Sequence, residues 1–177
     1  MKFVHTKLRG AYKIEIEAHR DERGFFARSW CEKELADHGL NACVKQCNIS
    51  FNNSKGTLRG MHYQAEPHAE VKIVRCTKGS IYDVIIDLRK DSDTYKQYYG
   101  AELSDTNHSM LYVPEGFAHG FQTLTDKAEV LYYMAHQYVA DAARGVRWND
   151  PAFGIEWPQE KQRIISTRDA QYPDYSS

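Results

Sequence analysis

Val71-Lys72-Ile73-Val74-Arg75-Cys76 alternates apolar and polar side chains, Lys78-Gly79 follows, and Ile81-Tyr82-Asp83-Val84-Ile85-Ile86-Asp87-Leu88 runs on as a second apolar-rich stretch. A period of two is the pattern of a strand with one buried face, and a glycine turn between two such runs predicts a hairpin. Working outward, Met110-Leu111-Tyr112-Val113 reads as a strand closed by Pro114, and Glu129 to Ala135 as another, carrying two tyrosines. Tyr12 to Glu17 reads as an N-terminal strand. Only one segment reads as helix: Ser29 is placed to cap it, Glu32 completes a capping box, and Gly39 stands where a left-handed stop belongs. Past Gly145, Trp148, Pro151, Trp157 and Pro158 predict irregular chain packed over the strands by its aromatic rings. Short strands closed by Gly, Pro, Asn or Asp predict an all-β sandwich or barrel.

The chain has 177 residues, 23 Lys plus Arg against 24 Asp plus Glu, and 42% hydrophobic residues. That length suits one domain spanning residues 1–177, with no linker or repeat to begin a second. A net charge of −1 excludes a bulk electrostatic binder of nucleic acid but leaves room for a local basic pocket. No apolar run approaches the roughly 20 residues of a membrane helix, and the first residues do not form a signal peptide. Cys31, Cys43, Cys47 and Cys76 show no metal-type spacing and read as reduced thiols, which places the protein in the cytoplasm. Strand-rich domains of this size pair through sheet edges, so a homodimer is expected. Twelve Tyr and eight His are the side chains here able to exchange protons while neutral near pH 7.

Pro114-Glu115-Gly116-Phe117-Ala118-His119 fits P-x-G-x-x-H, the second motif of the cupin jelly rolls, in which a tight turn delivers a histidine into the barrel. The first motif is altered. Seven residues before Gly79, where metal cupins carry a Glu ligand, stands Lys72, and an ammonium repels a divalent cation. The chain therefore resembles a cupin without the metal. His62 taken alone fits a satisfied core histidine as well as a base, and Lys72 fits a solvent-facing strand position. Together with His119 and the tyrosines they supply a base, a cation and an acid, the parts needed to remove and return a proton beside a carbonyl.

Several longer motifs, in order, are similar to those of the dTDP-4-dehydrorhamnose 3,5-epimerase family: Asp21 to Phe26, Gln46 to Ser50, Gly56 to Gln64, Pro114 to Phe121, Trp148 to Pro151, and Ile155 to Pro158. The resemblance covers the chain from about Ile14 onward. It implies a jelly-roll homodimer with no metal or organic cofactor, acting on a nucleotide-linked 4-keto-6-deoxyhexose. By matching position, His62 would remove the C3 and C5 protons, Asp169 would orient it, Lys72 would face the C4 oxygen, and Tyr132 would return a proton from the opposite side. Neighbours on a strand face opposite ways, so only one of Tyr132 and Tyr133 should line the pocket. The motif and the parity shared with Tyr138 favour Tyr132. Arg23 and Arg59 match diphosphate contacts, so that with Lys72 they would form one basic pocket. Gln46, Asn48, His119, Tyr138 and Arg168 match substrate contacts.

Two family carboxylates are absent: Arg28 follows Phe26-Ala27 where Phe-x-Glu is usual, and Ala143 precedes Arg144-Gly145 in place of Glu. If Arg28 is a substrate contact, these changes leave the base open among dTDP, CDP and GDP. A single-carbon epimerase is a close alternative. A metal-dependent cupin oxygenase or isomerase and a non-catalytic sugar-binding cupin are the readings from other classes.

Overall fold

In the computed structural model, which describes residues 1–175, the N-terminal quarter forms β1 (Lys2–His5), β2 (Tyr12–Glu15), β3 (His19–Asp21), β4 (Gly24–Phe26) and helix α1 (Glu32–Asp37). The central stretch adds β5 (Gln46–Asn52), β6 (Thr57–Gln64), β7 (Lys72–Lys78), β8 (Ser80–Asp87), β9 (Tyr98–Ser104), β10 (Met110–Val113), β11 (Phe117–Thr123) and β12 (Ala128–Met134). The C-terminal part supplies β13 (Ala143–Gly145), β14 (Ile164–Ile165) and a second short helix, α2 (Thr167–Ala170). Two large sheets result, in the orders β1-β2-β10-β7-β12-β5 and β13-β6-β11-β8-β9, with β14 running parallel to β6, and β3 and β4 form a separate two-stranded sheet. The fold is the jelly-roll sandwich that the motifs imply.

Strand alternation sorts the apolar residues into three layers. Val74, Cys76, Ile81, Ile85, Leu103, Leu111, Phe117, Phe121 and Val130 fill the space between the sheets. Their neighbours Ile73, Met110 and Tyr112 point the other way and are covered by Leu35 of α1. Leu58, Met61, Val84, Ile86 and Ala118 form the outer face of the second sheet, beneath Val146, Phe153 and Trp157. The aromatics after Gly145 thus pack over the sheet as expected, and Trp157 donates its indole N–H to the Trp148 carbonyl at 2.8 Å.

Three expectations are corrected. β7 and β8 are not a hairpin: β7 pairs with β10 and β12, and β8 with β9 and β11. Gly79, at φ +73°, is a corner where the chain crosses from one sheet to the other, its N–H donating to Asp105 Oδ2 at 2.7 Å. A side chain there would collide with the Thr125 hydroxyl. Secondly, Ser29 does not cap α1. The N-cap is Cys31, whose extended backbone offers no side-chain cap, and Trp30 is drawn against the covered face of the sheet. Gly39 does end the helix, with Gly39 N–H to Ala36 O and Leu40 N–H to Leu35 O, both at 2.9 Å. Finally, the described residues form two short α-helices, not one. The second is four residues long, with too little pattern to be read from sequence.

Candidate active site

β6 builds the first wall of the site through a defect in its pairing. Across to β11, His62 faces His119 while Arg59 faces Phe121, so three steps along β6 match two along β11. That bulge sits at Gly60, whose φ of +138° disfavours a side chain and where a Cβ would lie only 2.6 Å from the Gly120 Cα. Without it Arg59 and His62 would point to opposite faces. With it both enter the space between the sheets, while Met61 and Tyr63 pack outside.

The bulge also turns the Gly60 N–H toward Asp169 Oδ2 at 3.2 Å, and the His62 Nε2 lies 2.8 Å from Asp169 Oδ1. Asp169 arrives there because β14 docks alongside β6 and leads directly into α2, capped by Ser166 accepting the Asp169 N–H at 3.1 Å. Burial alone would push the Asp169 carboxyl up. The bond and charge from His62, with the Gly60 and Ser166 contacts, outweigh it and hold the group below the ordinary aspartate value. With Asp169 ionised, Nε2 of His62 is the nitrogen that donates to it, which leaves Nδ1 of a 43% exposed ring as the acceptor.

The opposite wall comes from the other sheet. Tyr132 lies on β12 with its side chain inward, whereas Tyr133 packs outside against the helix-covered face. Burial, then the nearby Asp83 charge, push the Tyr132 phenol well up, with Arg59 opposing, so it stays protonated at neutral pH. Lys72 shares the inward face with Val74 and Cys76 and is buried. Its Nζ is 2.9 Å from Glu70 Oε1 and 3.4 Å from the His62 carbonyl oxygen. His119 is buried between the two walls, its Nε2 2.8 Å from Asp83 Oδ1 and its ring edge-on to Tyr132. These groups enclose a cavity of about 320 Å³, whose rim carries Arg59, Arg144 and Arg168. Arg59 is aimed by its Nε donating to the buried Asn52 Oδ1 at 2.7 Å.

Residues 5–177 match the family described as dTDP-4-dehydrorhamnose 3,5-epimerase. The chain belongs to that family. An enzyme of that name from Methanothermobacter thermautotrophicus is 42% identical over 173 residues, spanning 97% of this chain and 92% of the relative. The Bacillus anthracis epimerase, solved with TDP and PPi bound, superposes with a TM-score of 0.94 at 42% identity, over 98% of this chain and 99% of the other. The Legionella pneumophila dTDP-6-deoxy-D-glucose-3,5-epimerase, in complex with dTDP-4-keto-L-rhamnose, gives 0.90 at 31% identity, over 99% of both chains.

Against this family's pattern, the pocket gathers Asn48, Arg59, His62, Lys72, His119, Tyr132, Tyr138 and Arg168, each of them a position matched in the sequence. Arg168 sits beside Tyr172 and Tyr138, whose phenols draw its guanidinium further up from its usual value. Three expected contacts lie elsewhere. Gln46 is off the cavity wall, and its side-chain carbonyl accepts the Tyr138 N–H at 2.9 Å. Arg23 is on the turn of the β3–β4 hairpin, 85% exposed and forked onto Asp21, so the basic pocket is made by Arg59, Lys72, Arg144 and Arg168 without it. Arg28 pairs with Glu34 at 2.6 Å, at the foot of α1. Of the two lost family carboxylates, only the Ala143 position borders the cavity.

Sequence reasoning missed Gln64, Glu70, Asn52, Asp83 and Arg144. Asp83 had a signal: it shares parity with Ile81 and Ile85, and a carboxylate on a buried face requires a partner. Glu70 precedes its strand and had none. Among the described residues no cluster of three or more His, Cys, Asp or Glu side chains could hold a metal ion.

Proposed function

We propose that the protein is a cofactor-independent isomerase that inverts C3 and C5 of a nucleotide-linked 4-keto-6-deoxyhexose, converting dTDP-4-dehydro-6-deoxyglucose to dTDP-4-dehydrorhamnose. One observation carries this reading: His62 and Tyr132 stand on walls contributed by different sheets, with the Lys72 ammonium in the same cavity. The C4 ketone acidifies the flanking C–H bonds. His62 Nδ1 takes the proton, the C–H electrons form a C=C bond, and the carbonyl pair moves to the C4 oxygen, where Lys72 meets the developing charge. Tyr132 then donates its phenolic proton to the opposite face of the carbon. Solvent removes the proton from His62 and restores the one on Tyr132, so the cycle is balanced and repeats at the second carbon. Arg59, a fixed cation with forked donors, suits the diphosphate. Asn48, Tyr138, Arg168 and His119 are the remaining proposed substrate contacts, and Gln46 acts through the Tyr138 backbone.

The same proposal includes a homodimer in the cytoplasm. β5 is an open sheet edge with Ile49 and Phe51 exposed, and the β3–β4 hairpin projects Phe25 and Phe26 into solvent. Arg23 lies on this projecting hairpin and Arg28 follows it at the foot of α1, both off this chain's own cavity, so the diphosphate and base contacts proposed for them are made with a second copy's pocket. The four cysteines are unpaired, as suits a reducing compartment, and no helix is long and apolar enough to cross a membrane. Residues 1–177 are read as one domain.

The test is incubation with dTDP-4-keto-6-deoxyglucose in D2O, reading deuterium at C3 and C5 by NMR. Label at both carbons supports the 3,5-epimerase, and label at one carbon the single-carbon alternative. No exchange with dTDP, CDP or GDP forms would sink the catalytic reading.

A further inference from the structure

We propose that Glu70 is a positioning residue for the reaction, holding the Lys72 ammonium so that one of its N–H groups is reserved for the oxyanion at C4. The inference rests on the role given to Lys72 above.

Glu70 and Lys72 form an ion pair with side chains only 6% and 8% exposed, at 2.9 Å, on the wall of the cavity. A flexible four-carbon stem with three rotatable donors has no intrinsic aim, so the surroundings must supply it. Glu70 takes one donor and the His62 carbonyl lies 3.4 Å from the same Nζ. That leaves the third N–H for the pocket, at a position tied to the backbone of the base itself. Glu70 is in turn fixed by Gln64, whose Nε2 donates to Glu70 Oε2 at 3.0 Å. The same Gln64 amide lies within hydrogen-bond reach of the His68 and Gln137 carbonyls and accepts the Val139 N–H at 2.7 Å. One side chain therefore joins the loop beside Tyr138 to the carboxylate that aims Lys72.

The charge has a second consequence. An unpaired buried ammonium would attract any anion into the sugar subsite before reaction, including the diphosphate in a wrong register. Paired with Glu70 the subsite is nearly neutral in the ground state, and the attraction grows only as negative charge appears on the C4 oxygen. That is the differential stabilisation that raises kcat and not merely affinity.

The experiment uses full-length Glu70→Gln and Glu70→Ala, each in the wild-type and the Lys72→Ala background, in the D2O exchange and turnover assays. Glu70→Gln keeps the volume and an acceptor for Gln64, so it reads the lost charge should the alanine variant fold poorly in a melting scan. The expected result for Glu70→Gln is kcat reduced about tenfold with KM within about twofold, and label uptake at C3 and C5 falling by the same factor. In the Lys72→Ala background the same substitution should change kcat by less than about twofold, because its only route of action is gone. Equal losses in both backgrounds, a raised KM at constant kcat, or no change in the wild-type background would each overturn the inference. A wild-type enzyme that exchanges no deuterium would instead overturn the functional reading on which it rests.

Discussion

Two histidine–aspartate pairs stand side by side in this molecule, and His62 and His119 are cross-strand partners on β6 and β11. Each has the same Nε2 to Oδ1 distance of 2.8 Å. Their surroundings differ. His62 is 43% exposed to the cavity and Asp169 is bonded through both oxygens, whereas His119 is 5% exposed and the fully buried Asp83 has no partner for its Oδ2. The first pair presents a half-exposed ring to the cavity and has a satisfied carboxylate to orient it. The second is buried, where a polar group that loses its hydrogen-bond partner is left unsatisfied. The same pairing thus gives an open ring suited to the proposed proton transfer at one place and a rigid wall beside Tyr132 at the other.

The largest expected effect tests that division directly. His62→Ala should remove deuterium exchange at both carbons, a loss of at least about a thousandfold, while costing less stability than His119→Ala, because the ring is half in solvent and Asp169 keeps the Gly60 N–H. His119→Ala should do the reverse in stability, costing about 2 kcal/mol in urea unfolding by removing the hydrogen-bond partner of the buried Asp83 Oδ1. If His62→Ala proves the more destabilising of the two, the comparison fails. Next, Tyr132→Phe should reduce net inversion about tenfold more than it reduces proton washout, since base and oxyanion partner remain; equal losses measured by NMR would contradict its role as the acid.

The smallest effect concerns pH. The Asp169 carboxyl is held below its ordinary value of 3.8, so its contribution to stability is complete above that value and is lost as pH falls through the lower folded-state value. The gap in urea midpoint between wild type and Asp169→Asn should accordingly be flat above about pH 5 and close in more acid solution. A gap that widens on acidification would reverse the assignment.

Much of this arrangement is legible locally. Pro114 ends β10 where expected, Gly39 stops α1, and the P-x-G-x-x-H turn does place His119 inside, with Gly116 at φ +76°. The inward choice of Tyr132 over Tyr133 follows from strand alternation once the motif names one of them. Other features have no local signature. Lys78-Gly79 looks the same whether the chain folds back on its own sheet or crosses to the other. Arg59 and His62 differ in parity, so simple alternation would separate them, and only the bulge at Gly60 reunites them. Arg23 lies in a family motif yet points to solvent, because the β3–β4 hairpin pairs only with itself.

By itself, the sequence determined the class of the fold and the inventory of the groups: short alternating strands, the histidine proposed as the base, the phenol proposed as the acid, and a lysine where a metal ligand would stand. These are properties of residue type and near spacing, which act over a few residues of chain. The tertiary structure alone decided which of them meet. Asp169 reaches His62 across 107 residues of chain because β14 docks on β6, and Glu70 meets Lys72 in a dry wall because β7 faces inward there. Hydrophobic layering sets which way each strand faces, and hydrogen bonding of the buried polar groups then fixes their partners.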